Sequence, residues 1–182
     1  NDILDLSKIE SGRLTIDAAP FDLHGMIDNT MRAFAHQAQQ KPLEFVWRLQ
    51  PGTPRHLIGD VSRVRQVLVN LVSNAVKFTE QGEVVVNVEP QWESRDEVSL
   101  HFSVKDTGIG IAPDALRTIF HAFTQADGSA SRKYQGTGVG LTIAARLADL
   151  IGGRLWAESV PGQGSAFHLA VRLNPDGADD DS

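Results

Sequence analysis

Cysteine is absent from the 182 residues of this chain, which excludes a disulfide framework, a thiolate metal site and a cysteine nucleophile. No apolar run reaches the ~18–20 residues that a membrane-spanning helix requires, and the start of the chain has no signal-peptide pattern. Basic residues are scarce, since 17 Lys and Arg stand against 23 Asp and Glu for a formal net charge of -6. Without a basic excess to neutralise phosphates, we expect no binding to nucleic acid.

The hydrophobic content of 41% is sufficient for one domain with a sizeable core. Apolar spacing predicts helices at 1–10, 21–39, 61–78 and 113–123, and a further helix that follows the glycines near 136 and ends at 152–153. Strands are predicted at 43–49, 83–89, 97–105, 154–159 and 165–173, with a polar hairpin loop over 91–97. This order indicates an α+β fold, with one mixed, mostly antiparallel sheet and helices on one face.

The helix predicted over 61–78 carries the first candidate site. Asp60 is a suitable N-cap, and Gly82 is expected to stop the helix. Its apolar positions form one broad stripe, namely Val61, Val64, Val67, Leu68, Leu71, Ala75 and Phe78. Beside it runs a polar stripe of residues three or four apart, namely Arg63, Gln66, Asn70, Asn74 and Lys77.

Asparagine inside a helix costs roughly half a kcal/mol relative to alanine, so two asparagines one turn apart indicate side chains that have partners. The amide oxygen of Asn74 is a hard ligand that suits Mg²⁺, and the ammonium of Lys77 suits phosphate. The alternative is a solvated helix face.

Two glycine-rich stretches supply the other candidates. In DTGIGI (106–111), Asp106 stands at a strand end as an acceptor for the exocyclic amine of adenine, and Gly108 and Gly110 allow a planar ligand to approach. GTGVGL (136–141) opens a helix, where free N–H groups and the helix dipole favour phosphate. Alternatively, the first is a turn without a ligand and the second a tight loop. The spacing of the second matches neither a Walker A loop nor a Rossmann fingerprint.

Taken in order, QVLVNLVSNAVKFTEQGEV, DTGIGI, FHAFTQAD and GTGVGL resemble the N, G1, F and G2 boxes of two-component sensor histidine kinases. These boxes belong to the catalytic ATP-binding domain, whose Bergerat-type fold is shared with gyrase, Hsp-type chaperone and mismatch-repair ATPases. The stretch FTQADGSASRKYQGTGVGL is similar to hybrid-type kinases. The resemblance covers residues 1–173 and implies a two-layer α/β sandwich that binds ATP and Mg²⁺.

The resemblance implies a role for each matching residue. Asn74 would ligate Mg²⁺, while Asn70 and Lys77 would act at the phosphates. Asp106 would read the adenine amine. Further nucleotide-binding positions are Gly108, Gly110, Phe123, Arg132, Lys133, Gly136, Thr137, Gly138, Val139, Gly140 and Leu141. Arg132 and Lys133 are either phosphate contacts or part of a solvated lid.

Asn70 also separates activities within the superfamily. Gyrase-like ATPases carry a glutamate at that position, whereas an amide cannot act as a general base. The resemblance therefore implies that this domain holds ATP while a histidine of a dimerisation domain attacks. None of the six histidines of the chain lies in the motif of that phosphoacceptor. The alternatives are a degenerate nucleotide-sensing or scaffold domain and a stand-alone ATPase.

The resemblance also divides the chain. Residues 1–15 are similar to the end of the dimerisation and phosphoacceptor helix, and the sequence begins as if cut from a longer protein. Residues 16–174 form the catalytic domain, and 175–182 are expected to be an acidic, solvated tail. The expected partners are the phosphoacceptor domain upstream and a receiver domain or response regulator. We expect this fragment to be a cytoplasmic monomer without direct membrane contact, whether or not the parent protein is anchored in the inner membrane.

Overall fold

The computed structural model describes residues 15–119 and 140–176, together with Ser7, Ser11 and Gly12. Within this part, the helices are α1 (Leu23–Ala38), α2 (Val61–Phe78), α3 (Pro113–Leu116) and α4 (Gly140–Leu150). The strands are β1 (Ala19–Asp22), β2 (Leu43–Leu49), β3 (His56–Gly59), β4 (Gly82–Glu93), β5 (Val98–Asp106), β6 (Arg154–Val160) and β7 (Gly164–Pro175). The predictions for 1–10, 120–139 and 177–182 lie outside the described residues, apart from Ser7, which is helical.

The strands form one seven-stranded sheet in the order β1-β3-β7-β5-β4-β2, with β6 paired to β7. Only β2 and β4 are parallel among the described pairings, and the others are antiparallel. One edge of β7 pairs with β5 from Leu173 to Ser165, while its other edge is shared by β6 and β3. The prediction of a mixed, mostly antiparallel sheet is confirmed.

The core lies between one face of this sheet and the helices. Alternate strand residues are at most 1% exposed, namely Val84, Val86, Val88, Val98, Leu100, Phe102, Val104, Phe167, Leu169 and Val171. They form one cluster with the apolar stripe of α2 and with Ile143, Ala144 and Leu147 of α4. The period-two and helical patterns of the sequence therefore meet in the predicted two-layer α+β fold.

The predicted helix over 61–78 is confirmed at both ends, but its stop signal is not Gly82. The carboxylate of Asp60 accepts a hydrogen bond from Arg63 N at 3.2 Å, as an N-cap does. The helix ends because Thr79 turns extended, with φ -116° and ψ 107°. Gly82 begins β4 with φ 119°, and a Cβ there would overlap the hydroxyl of Thr107.

Other boundaries also differ from the sequence predictions. The short strands β1 and β3 were not predicted, and α1 starts at Leu23 because Asp22 caps it by accepting from Gly25 N at 3.0 Å. β4 continues through a bulge between Pro90 and Trp92, which shortens the predicted hairpin loop to the turn Ser94–Glu97. The described α3 covers only the start of the helix predicted over 113–123.

The sheet face turned away from the helices carries a chain of polar contacts. His101 Nε2 lies 2.8 Å from His168 Nδ1, and His101 Nδ1 lies 3.2 Å from Glu89 Oε1. His168 Nε2 lies 3.2 Å from Glu158 Oε1. Burial lowers the pKa of His168 below its usual value, and the neighbouring charges of His101 and Lys105 add to this, while Glu158 opposes it.

This lowered pKa predicts a stability that falls in mild acid. Below about pH 6.5 the unfolded chain binds a proton at His168 more readily than the folded domain does. The free energy of unfolding should therefore decrease as the pH falls from about 7.5 to 5.5, and His168→Gln should reduce that decrease. Urea unfolding at several pH values measures it. His36→Gln, on the exposed face of α1, is the control that should keep the slope of the parent, and an unchanged slope in His168→Gln would contradict the prediction.

Candidate functional site

Asp106, the last residue of β5, places a carboxylate at the end of the sheet. Its Oδ1 accepts from Gly108 N at 2.9 Å, and the amide of Ser165 on β7 also donates to the carboxylate. Burial raises the pKa of Asp106, and the two amide hydrogen bonds oppose that rise. The residue predicted to read adenine is therefore a buried carboxylate in a fixed orientation.

The loop after Asp106 lies directly on the end of α2. A Cβ added to Gly108 would overlap the carbonyl oxygen of Phe78 and lie 2.9 Å from Thr79 Oγ1. Thr79 is fully buried, and its hydroxyl has no hydrogen-bond partner in the described part of the chain. A glycine at 108 is thus required by close approach of the helix end. This contact joins two motifs that lie about thirty residues apart in sequence.

The hairpin between β6 and β7 closes the other side of the loop. Ile111 N donates to Ser159 Oγ at 2.7 Å, and Ser159 Oγ lies 2.8 Å from Ser165 Oγ. Gly162 N donates to the carbonyl oxygen of Ile109 at 2.7 Å. Sequence reasoning identified this segment only as a turn and missed its contacts with DTGIGI. The available signal was the run GQGS (162–165), because Gly164 in this run leaves room for the backbone of Asp106.

The polar stripe of α2 carries the predicted phosphate-side residues. Asn70, Asn74 and Lys77 are half-buried. Their face of the helix is therefore partly shielded from solvent but still accessible to a ligand. Burial lowers the pKa of the Lys77 ammonium, which lies 5.5 Å from the centre of the Phe78 ring. Since Phe78 also contacts Gly108 through its carbonyl, the stripe and the Asp106 loop meet at the end of α2.

Gly140 is the first residue of α4, and Leu141 packs partly buried against the core. α4 lies against α2, so the predicted phosphate-binding helix start belongs to the same layer as the asparagines. Gly110 lies in the described loop with φ 74°, and the remaining predicted nucleotide contacts lie outside the described residues. These are Phe123, Arg132, Lys133, Gly136, Thr137, Gly138 and Val139.

The donor set suits a nucleotide-bound magnesium ion better than a metal held by protein alone. Among the described residues no group of three or more His, Asp or Glu side chains is arranged to hold a metal ion. Mg²⁺ usually keeps several waters and binds one or two protein oxygens together with substrate phosphates. A single half-buried amide at Asn74 is compatible with that mode.

The family model for histidine kinase-, DNA gyrase B-, and HSP90-like ATPases matches residues 59–175. This range contains α2, the loop after Asp106 and the hairpin between β6 and β7. The chain belongs to this ATPase family. The match confirms the resemblance based on the N, G1, F and G2 boxes. The matched range includes Asp106 and the elements that surround it.

Three similar proteins narrow the type of ATPase-family domain. Sensor histidine kinase GacS of Pseudomonas protegens is 44% identical over 173 residues, which are 95% of this chain and 19% of that protein. Signal transduction histidine-protein kinase BarA of Escherichia coli K12 is 40% identical over 177 residues, again 19% of its length. The crystal structure of full-length ShkA in complex with AMPPNP matches 97% of this chain and 35% of that chain, with a TM-score of 0.82 and 32% identity.

This ATPase-family chain is therefore an ATP-binding catalytic domain of the sensor histidine kinase type. It spans about a fifth of the length of the curated relatives that it matches. None of the helices in the described ranges is both long enough and apolar enough to cross a membrane.

Proposed function

We propose that this domain binds ATP with Mg²⁺ and presents the γ-phosphate to a histidine of a dimerisation domain elsewhere in the parent protein. In this proposal Asp106 reads the adenine amine, Asn74 ligates Mg²⁺, and Asn70 and Lys77 act at the phosphates. The bound nucleotide supplies the phosphoryl group, and the residues of this chain hold and orient it. The observation that supports the proposal best is the buried, doubly hydrogen-bonded carboxylate of Asp106.

Asn70 favours phosphotransfer over independent hydrolysis. It lies one turn before Asn74 on the same half-buried face of α2. An amide has no basic site near neutral pH and cannot activate a water molecule. A stand-alone ATPase is therefore the weaker alternative, and steady-state hydrolysis that is lost on changing Asn70 would favour it.

A degenerate domain that only senses nucleotide or acts as a scaffold is the second alternative. The fixed Asp106 carboxylate argues against a scaffold, because nothing in a scaffold requires a buried charge at that point, and phosphotransfer to a supplied phosphoacceptor domain distinguishes a kinase domain from a nucleotide sensor. In the proposed setting the domain is cytoplasmic, monomeric as a fragment, and a partner of a receiver domain or response regulator.

The proposal is tested by incubating this chain with γ-labelled ATP and a separately produced phosphoacceptor domain of the parent protein. The measurement is the transfer of label to that domain. We expect acid-labile label on that domain when this chain and Mg²⁺ are both present, and none on this chain alone. Asn74→Ala should reduce the affinity for Mg-ATP by at least about tenfold, since removing groups that merely support a metal ligand costs 10–100-fold.

Ser73→Ala, an exposed neighbour on the same helix, is the matched control and should transfer label as the parent does. In excess chelator, the affinities of Asn74→Ala and the parent for ATP should converge, because the expected contact is to the metal. Label on this chain alone, or a difference that persists without Mg²⁺, would contradict the assigned roles.

A further inference from the structure

Lys41 is a half-buried lysine in the turn between α1 and β2. Its Nζ donates to the carbonyl oxygen of Val76 at 2.8 Å and to that of Thr79 at 3.4 Å. Both carbonyls lie at the C-terminal end of α2, where carbonyl groups lack partners within the helix and the helix dipole favours a cation. Lys41 is thus a side-chain cap supplied from another part of the chain.

The residues after Lys41 hold the other end of the same turn. The carbonyl oxygen of Pro42 accepts from Gly82 N at 3.2 Å, and Leu43 pairs with Gly82 where β2 and β4 begin. The segment 41–43 therefore fixes both ends of the turn 79–82, which connects α2 to β4.

The opposite side of this turn faces the loop after Asp106, the residue predicted to read adenine. Glu83 N donates to Thr107 Oγ1 at 3.0 Å, and Thr107 N donates to the carbonyl oxygen of Glu83 at 3.2 Å. The carbonyl oxygen of Phe78 is in close contact with Gly108. The turn 79–82 thus stands between Lys41 on one side and the Asp106 loop on the other.

We propose that Lys41 is a positioning residue that sets the spacing between the phosphate-side residues of α2 and Asp106. The inference rests on the proposed function, because it assumes that one nucleotide engages both. Lys41 reaches the backbone of α2 and acts through it. Without the ammonium, the carbonyls of Val76 and Thr79 lose a charged donor, and the end of α2 that carries Lys77 is free to shift relative to Asp106. The affinity for a nucleotide that binds through both its base and its phosphates depends on that spacing, whereas the affinity for a ligand that binds only in the base pocket does not.

The test compares the affinities of the full chain for Mg-ATP and for adenosine, measured by NMR titration. Lys41→Met should weaken Mg-ATP binding by about tenfold, the equivalent of one hydrogen bond to a charged group, while adenosine binding changes by less than about twofold. Lys41→Arg keeps a charged donor and should restore Mg-ATP affinity to within about threefold of the parent.

Lys105→Met is the matched control, since Lys105 is an exposed lysine beside Asp106 in the sequence, and it should leave both affinities unchanged. Equal losses for the two ligands, an unchanged Mg-ATP affinity, or a failure of Lys41→Arg to restore binding would overturn the inference. Thermal unfolding is followed for each variant, and Lys41→Gln replaces Lys41→Met under the same criteria if the latter is unfolded. A parent chain that does not bind Mg-ATP would instead contradict the proposed function.

Discussion

Asp106→Asn is expected to weaken Mg-ATP binding by about 10- to 100-fold and to remove the preference for ATP over GTP. A hydrogen bond to a charged group contributes about 1.5–3 kcal/mol, and each 1.4 kcal/mol is about tenfold in affinity. The amide keeps the size of the side chain but replaces one acceptor oxygen with a donor, which meets the adenine amine unfavourably. Calorimetric titration with both nucleotides measures the effect.

The same substitution should not weaken the fold. The raised pKa of Asp106 means that the ionised carboxylate costs folding free energy at neutral pH, a cost that declines as the pH falls below the folded pKa and is absent below the unfolded pKa. A neutral amide avoids this cost, so the nucleotide-free variant should unfold at the temperature of the parent or above it. Asp149→Asn, at an exposed position of α4, should change neither property. If Asp106→Asn bound ATP and GTP as the parent does, the adenine role would be wrong.

Gly164→Ala is expected to destabilise the domain by about 2–6 kcal/mol, from backbone strain together with overpacking. Gly164 has φ 122°, and an added Cβ would overlap the carbonyl oxygen of Asp106 and lie 3.0 Å from the Cα of Thr107. Neither backbone is free to move, because Asp106 and Ser165 are paired in the sheet. Such a loss is a large part of the 5–15 kcal/mol that is typical of a domain. Urea unfolding measures it.

Gly162→Ala separates the two causes. Gly162 lies in the same turn with φ 81°, but nothing lies within 4 Å of an added Cβ. It should therefore cost only the left-handed conformation, about 1–2 kcal/mol. Equal destabilisation by the two substitutions would show that the contact with Asp106 contributes nothing.

The sequence predicts best those elements whose causes are local. α2 has its cap at Asp60 and its apolar stripe within twenty residues, so its start and its extent are recoverable, whereas its stop signal was misassigned to Gly82 because the extended conformation of Thr79 is not visible in the sequence. β5 alternates cleanly for the same reason. The four-residue strands β1 and β3 have no such pattern, because they exist by pairing with each other and, through β3, with β7.

The same difference between local and long-range causes applies to the candidate site. Asp106 is identifiable because a carboxylate and two glycines follow a strand, but its orientation depends on the amide of Ser165, 59 residues later. The cap that Lys41 provides joins residues 35 positions apart, and no spacing rule for helix ends includes it. Asn70, Asn74 and Lys77 are predicted as a set by helical periodicity, whereas their roles at a nucleotide stay a prediction.

The position of β7 in the sheet has a consequence for how the domain is made. The strand that pairs with β5, β6 and β3 is the last of the described strands in sequence order, and synthesis proceeds from the N-terminus at about 5–20 residues per second. Until β7 emerges from the ribosome, β5 exposes an unpaired edge that is open to association with other strands, and Asp106 lacks its partner amide from Ser165. We therefore expect the Asp106 carboxylate to reach its fixed orientation only after β7 has paired with β5.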